Sequence, residues 1–499
     1  MRALRRAGSE CASDSGGTML TLLGSRQRVC NGLTRRAVVQ AGGAGLLGLS
    51  LPKLTAAEAA AKHFTNGRAK SVLFLFLFGG PSQLETFDSK PDAPSNLRGP
   101  FGTIASRTPD LRLSEHLKRC ADISDKFCVI RTMTHPHNDH NACHYIQTGH
   151  KWTRAAENGS DVNARETDWP SIGSVVEYLS AHDRQRARTL PDYIYLPNRL
   201  GHLQVPKYDR TGQYAGWLGA AYNGLATDVR PEVAKDNLFL RACTDKELDF
   251  RIKGLVPTTE LALDRLNRRK SLLEQFDGER RAIEASRRYD VYDSTRGQAL
   301  SLVTSDSIRS ALDIQQEPAA LRDRYGRHLF GQSVLMARRL IEAGSRFITV
   351  GWDSVSGLDG WDSHTTSKHL EQQLIPGFDQ AFSALLTDLD ERGMLDETLV
   401  VALGEMGRTP RADTTAWGRG HWSFCFPALL AGAGIRGGVA YGRSDKEAAW
   451  PADHPVSPED LAATIYHALG IDPHFSLPDA QGRPVHIVDG GRPMHELFG

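Results

Sequence analysis

The stretch Thr398–Trp422, TLVVALGEMGRTPRADTTAWGRGHW, decides how the rest of the 499-residue chain is read. Thr398 to Leu403 is an unbroken run of β-branched and apolar residues, which suits a strand buried on both faces, as in a parallel sheet. The run stops at Gly404, and Glu405 follows at once. Ligands of open α/β sheets bind outside the carboxyl ends of the strands, so Glu405 stands where chemistry is expected. Upstream, the strand expected at Arg346–Val350 leads into Gly360-Trp361-Asp362-Ser363-His364, and His421 closes the quoted stretch. In an extended segment Asp362 and His364, two apart, point to the same side. Two carboxylates (Asp362, Glu405) and two imidazoles (His364, His421) form a donor set suited to a divalent ion of the zinc or manganese type.

Outward from this stretch the same pattern repeats. Ser71 to Phe78 is a fully apolar run ending in Gly79-Gly80-Pro81-Ser82, which places Ser82, Glu85 and Asp88 near a strand end. Backbone N–H groups of such a Gly-rich turn can cradle an anion. Further strands are expected at Phe127–Arg131, Tyr193–Leu196, Pro427–Leu430 and Gly438–Tyr441. Helices are expected at Ser114–Ala121, Ser171–Ala181, Gly331–Ala343, up to Arg392, and Pro458–Leu469; Phe378, Phe382, Leu385 and Leu389 carry the apolar stripe of the fourth. A charged amphipathic helix is expected at Thr259–Arg288 and another at Ala299–Gln315. Strand, ligand-like loop, helix and strand in succession from Arg346 to Leu403 read as a βαβ unit.

Five histidines fall in sixteen residues, His135, His137, His140, His144 and His150, directly after the strand at Phe127. One or two of them are expected to act as ligands or proton carriers, with the rest packing or capping. Seven scattered cysteines without a CxxC give neither a zinc-finger spacing nor a disulfide framework. A net charge of +1 gives no electrostatic reason to expect a nucleic-acid partner.

Residues 1–65 read as a leader rather than part of the fold. Thr34-Arg35-Arg36 precedes an Ala/Gly/Leu run to Leu51, the pattern of a twin-arginine export signal. The run is short for a membrane span, so no stable anchor is expected after cleavage. Export to the periplasm or beyond follows as the expectation. Residues 66–499 then read as one α/β domain, with an insertion at about 198–258 that shapes a rim or pocket lid.

The segments GGPSQLETFD (79–88), FGQSVLMARRLIEAG (330–344), GWDSH (360–364), LDERGMLDETLVVALGEMGRTP (389–410) and GRGHW (418–422) resemble the hallmarks of the DUF1501 family, exported bacterial proteins with twin-arginine signals. The resemblance spans roughly residues 70 to 475. That family is similar in fold to the alkaline phosphatase and sulfatase superfamily. The resemblance therefore implies a three-layer α/β/α sandwich with a mostly parallel central sheet and a metal site at the strand ends. Asp362 with His364, then Glu405, then His421 fit the superfamily's ligand order. The acidic ligand that usually follows the first strand directly is replaced here by Gly79-Gly80, and only Glu85 or Asp88 could substitute for it. The nucleophile's place falls near Asp139 and His140, neither of the usual type, and nearby Cys143 lacks the sulfatase context.

These readings converge on an exported metal-dependent hydrolase of phosphate or sulfate esters. Asp362, His364 and His421, with Glu405, would hold zinc, manganese or calcium; His140 or His137 would serve as general acid or base; Arg408 would hold the anionic group. The substrate would be a small-molecule or glycan ester. The rival is a non-catalytic protein on the same scaffold that recognises an anionic glycan or a cell-envelope partner.

Overall fold

The apolar runs form the centre of an eight-stranded sheet. Its strands are β1 (Ser71–Leu77), β2 (Phe127–Met133), β3 (Tyr193–Leu196), β4 (Leu225–Ala226), β5 (Phe347–Trp352), β6 (Thr398–Leu403), β7 (Phe426–Ala431) and β8 (Val439–Tyr441), in the spatial order β8-β2-β7-β6-β1-β5-β3-β4. The computed structural model describes residues 67–499 apart from 155–160, 184–185, 187–189, 205–206, 234–235, 251, 253–309 and 356–359. The leader expected over residues 1–65, the helix expected at Thr259–Arg288 and most of that expected at Ala299–Gln315 lie outside the described residues.

β1 runs parallel to β5 on one side and β6 on the other, with Leu77 opposite Trp352 and Phe76 opposite Leu403. All seven β1 residues are buried. Alternate side chains serve opposite layers. Leu73, Leu75 and Leu77 share a core with Leu335, Phe378, Phe382 and Leu385 of the helices α4 (Leu329–Glu342) and α5 (Ile375–Glu391). Phe74 and Phe347 face Gln147 and Ile172, from α2 (Ala142–Thr148) and α3 (Ile172–His182). The last helix, α6 (Pro458–Ala468), packs on α2. Helices therefore cover both faces, and the three-layer expectation holds. Each fully buried Leu or Phe contributes roughly 1.5–3 kcal/mol, so the doubly covered β1 anchors the sheet.

β7 is antiparallel to both of its neighbours, β6 and β2. Its entry therefore lies at the same sheet edge as the exits of β1, β2, β5 and β6. That brings the segment before β7, which holds His421, beside Glu405. The helix expected at Ser114–Ala121 is displaced: Arg112–Ser114 pairs with Thr103–Ala105, and α1 begins at Lys118. Its first amides, those of Arg119 and Cys120, donate to the Asp379 carboxylate at 3.0 and 2.7 Å. The start of α1 is thus set by a group on α5 rather than by a local cap. Cys120, Cys128, Cys143, Cys243 and Cys425 are all unpaired thiols, so the described residues hold no disulfide. No described helix is long and apolar enough to cross a membrane.

Candidate metal centre

Glycine lets two strand exits touch. A Cβ on Gly404 would lie 2.5 Å from Pro81 Cδ and 2.7 Å from the Leu77 carbonyl. With no side chain there, Glu405 swings under the β1 turn, and both of its carboxylate oxygens accept the Gly79 N–H, at 2.9 and 3.1 Å. The anion cradled by the Gly79-Gly80 turn is the chain's own Glu405. Gly79 has φ +111° and approaches the Asp362 amide so closely that a Cβ would lie 2.5 Å from it. The β1 exit thus packs against both acidic residues.

Asp362 does not sit in an extended segment as expected. Ser363 N–H donates to the Trp361 carbonyl and His364 N–H to the Asp362 carbonyl, at 2.9 and 3.0 Å, which coils the chain tightly. The coil still brings the two side chains together. His364 Nε2 lies 3.0 Å from Asp362 Oδ1, His421 Nε2 lies 3.4 Å from the same oxygen, and His140 Nε2 lies 3.2 Å from Oδ2. His364 and His421 face each other with their Nε2 atoms 3.0 Å apart. The Arg408 guanidinium closes on Asp362 Oδ1 from the interior. Burial disfavours charge on Asp362, but hydrogen bonds from His140, His364 and His421 and the charge of Arg408 outweigh it, so its carboxyl is held well below the ordinary range.

One ligand atom each from His140, Asp362 and His421 lies within 4.8 Å of the others. Two imidazole nitrogens and a carboxylate oxygen directed at one point are the donor chemistry of a zinc- or manganese-type ion. Glu405 stands one step back: His140 Nδ1 lies 2.6 Å from its Oε1. A carboxylate on one ring nitrogen, fixing the tautomer so that the other faces the metal point, is the usual support of a ligating histidine. His140, expected as a general acid or base, is thus one of the three converging groups, and Glu405, expected as a metal donor, lies behind it on Nδ1.

The family's sequence profile, described as a protein of unknown function, matches residues 69–498. The chain belongs to the DUF1501 family. A search of curated proteins by sequence matches none to it. Its fold is similar to that of a phosphonate monoester hydrolase from Silicibacter pomeroyi (9% identity over 86% of this chain and 76% of that one, TM-score 0.35). It is likewise similar to that of a sulfatase from Pseudoalteromonas sp. (11%, 84% and 70%, TM-score 0.35). A third likeness is to the alkaline phosphatase of the Antarctic bacterium TAB5 (12%, 73% and 92%, TM-score 0.32).

The remaining expected site residues of this DUF1501 protein hold other positions. Arg408 is fully buried; its Nε–H donates to the Gly80 carbonyl at 3.0 Å, Nη1 to the Arg419 carbonyl at 3.3 Å, and Nη2 to Gly79 and Asp362. A guanidinium so committed braces Asp362 from behind and has no face for a substrate anion, which corrects its expected role. His137 also departs from expectation: its ring packs 5.4 Å from Tyr145, away from Asp362, and burial lowers its pKa. Glu85 pairs with Arg419 at 2.7 Å, and Asp88 with Lys90 at 2.9 Å, so neither acidic residue joins the centre. Ser82 donates to Glu85. Cys143 is buried and donates to the Thr211 carbonyl at 3.2 Å, while burial pushes its thiol well above the ordinary value, the opposite of a nucleophile's need.

His135 is the residue that sequence reasoning did not single out. Its Nδ1 accepts the His137 amide at 3.2 Å, so its Nε2–H donates to the Glu405 carbonyl at 2.7 Å. Burial keeps it neutral by lowering its pKa to about 4. It thus pins the Glu405 backbone while Gly79 pins the carboxylate. His144 and His150 pack on Trp152 and Trp169, with pKa values lowered by burial to about 3 and about 4. From the segment expected as a rim, the Arg210 guanidinium stacks 4.1 Å from the Phe78 ring, which lies 5.0 Å from that of His140.

Two predictions arise here. Glu405→Gln keeps the shape but presents His140 Nδ1–H to a neutral amide. Metal affinity is expected to fall by about 10–100-fold, read by titration against a chromogenic chelator; an unchanged affinity would remove Glu405 from the centre. The second concerns the metal-free protein. Burial opposes charge on His140, but hydrogen bonds to Asp362 and Glu405 prevail and push its pKa up to about 9. That lies above the unfolded value of about 6.5, so the stabilisation is fully present below about pH 6.5 and is lost as the pH rises through the folded value. Asp362, shifted down, works in the other sense and loses its contribution only in acid. Urea midpoints of chelator-treated protein are expected to fall between about pH 6.5 and 9, and His140→Gln to flatten that slope.

Proposed function

We propose that this protein is an exported metal-dependent hydrolase of phosphate or sulfate esters. The observation that carries the reading is the convergence of His140, Asp362 and His421 on one point at the sheet edge. The three residues would hold a divalent ion, which when bound would polarise an ester oxygen and lower the pKa of a bound water. Three protein donors leave a coordination position open, as a catalytic site requires. His364 stands on the solvent side: its side chain is 43% exposed, against 12% for His140 and 22% for His421. Hydrogen-bonded to Asp362 and facing His421, it is placed to pass protons between the site and water. Export rests on the Thr34-Arg35-Arg36 pattern.

The start of α2 offers a substrate no exposed hydroxyl or reactive thiol, since Cys143 is buried. This favours attack by water over a covalent intermediate. It also sustains the second reading, a non-catalytic binding protein that keeps the ion for structure. Elemental mass spectrometry of the exported protein, with assays on aryl phosphates and aryl sulfates, tests both. Stoichiometric metal that is lost in His421→Ala, together with turnover, supports the hydrolase. Metal without turnover of either ester class leaves the binding protein, and no metal in folded protein ends the metal-centre reading altogether.

A further inference from the structure

Of the three converging residues, two are held by more than their own main chain. Glu405 bonds the second ring nitrogen of His140, and Arg408 braces Asp362. His421 is different: its Nε2 faces Asp362 and His364, and no group among the described residues bonds its Nδ1. A ligating histidine is usually oriented by a partner on its second ring nitrogen. Here that task falls to the main chain of His421.

That main chain is lightly held on one side, where His421-Trp422 pairs with Gly407-Arg408 over two residues only. On its other side it meets the turn from β2 to α2. The His135 N–H donates to the Ser423 carbonyl at 3.0 Å, as in an antiparallel ladder. Continued, such a ladder would return the Ser423 N–H to the His135 carbonyl and bring the His137 N–H to the His421 carbonyl. Neither bond is made. Pro136 is locked at a φ of about −65°, poorly suited to an antiparallel strand. The His137 N–H turns back to His135 Nδ1 at 3.2 Å. The Asn138 side chain supplies what the ladder lacks: its Oδ1 accepts the Ser423 N–H at 2.9 Å, and its Nδ2 donates to the His421 carbonyl at 3.1 Å.

A carboxamide carries both the acceptor and the donor of a peptide group, a pair that a carboxylate, with acceptors alone, cannot supply. Asn138 also stands two residues before His140, whose ring lies 4.5 Å from that of His421. One side chain thus ties the turn that carries one histidine to the strand that carries the other. We propose that Asn138 positions His421: its bridge across the gap in the ladder sets the separation of the two histidines, and with it the affinity of the centre for its ion. The proposal rests on the metal-centre reading and not on turnover of any ester.

The test is titration of cobalt(II) into the chelator-treated full chain, followed by visible absorption, which responds to the geometry of the donors around the ion. Asn138→Ala is expected to bind about tenfold more weakly, the low end of the range for loss of a ligand's supporting partner, and to shift the cobalt band. Asn138→Asp keeps the acceptor for Ser423 and loses the donor for His421, so its affinity is expected to fall between those of Asn138→Ala and wild type. Asn138 is exposed, so both variants are expected to fold, and the urea midpoint of the metal-free protein checks this. A midpoint that falls while the affinity and band of Asn138→Ala stay at wild-type values would reduce the residue to a structural bond and overturn the proposal, as would no change in any of the three. Wild-type protein that takes up no cobalt overturns the metal centre itself, and the assignment of Asn138 with it. The wild-type titration therefore separates the two failures.

Discussion

Asp362→Ala is expected to abolish stoichiometric metal binding and to lower aryl-ester turnover by more than the roughly 10–100-fold expected where only a supporting residue is lost. Asp362 is the one carboxylate that touches all three imidazoles of the centre, His140 at 3.2 Å, His364 at 3.0 Å and His421 at 3.4 Å. It is also the counter-charge of Arg408, which is buried and has no other carboxylate partner among the described residues. Removing it takes away one of the three donors and leaves the Arg408 guanidinium without its counter-charge beside the metal point, which disfavours a bound cation. Asp362→Asn separates charge from shape. The amide still accepts hydrogen bonds, so the fold is expected to survive, and metal is still expected to be lost. Elemental analysis beside a thermal unfolding curve reads both quantities. Retention of one metal per chain in Asp362→Ala would sink the centre as described.

The parts of this site that were legible in the sequence are those a strand end dictates. The runs at Ser71 and Thr398 could only be buried strands, and the loops leaving parallel strands all lie at one edge of their sheet. The meeting of Asp362, Glu405 and His421 at one sheet edge therefore followed from order alone. The direction of β7 and the distance of each donor from the common point were not legible. β7 has the same apolar pattern whether it runs up or down, yet its antiparallel direction is what delivers His421 to the edge. Likewise, five histidines in one short stretch look equivalent as letters. Only His140 converges, because the turn between β2 and α2 aims one ring at Asp362 and sends His137 toward Tyr145. The placement of Glu405 behind His140 depends on Glu405 reaching the Gly79 amide across the sheet edge, a contact between residues 326 apart that no local pattern encodes.

Glu85 shows the same limit, and its substitution carries the second large effect. As an acidic residue just after β1 it stood, with Asp88, as one of two substitutes for the acidic ligand that the resemblance implies; in the fold it is an ion-pair partner. Its side chain and that of Arg419 are each 1% exposed, and they meet through Nε and Nη2 at 2.7–3.1 Å. Arg419 also donates to the carbonyls of Leu97, Thr409 and Pro410, and its own amide donates to Ser363. It therefore ties the β1 turn, the Asp362 coil and the segment carrying His421 into one unit. Glu85→Ala leaves this guanidinium buried without a counter-charge, and breaking a buried pair from one side costs about 3–5 kcal/mol. Glu85→Gln, which keeps an acceptor, is expected to lose less. The decisive comparison is with and without a chelator. A ligand's contribution to stability disappears once the metal is removed, whereas that of an ion pair persists. The urea midpoint of Glu85→Ala is thus expected to lie below wild type by the same amount in metal-free and metal-loaded protein. A deficit that vanishes in the metal-free pair would return Glu85 to the metal centre.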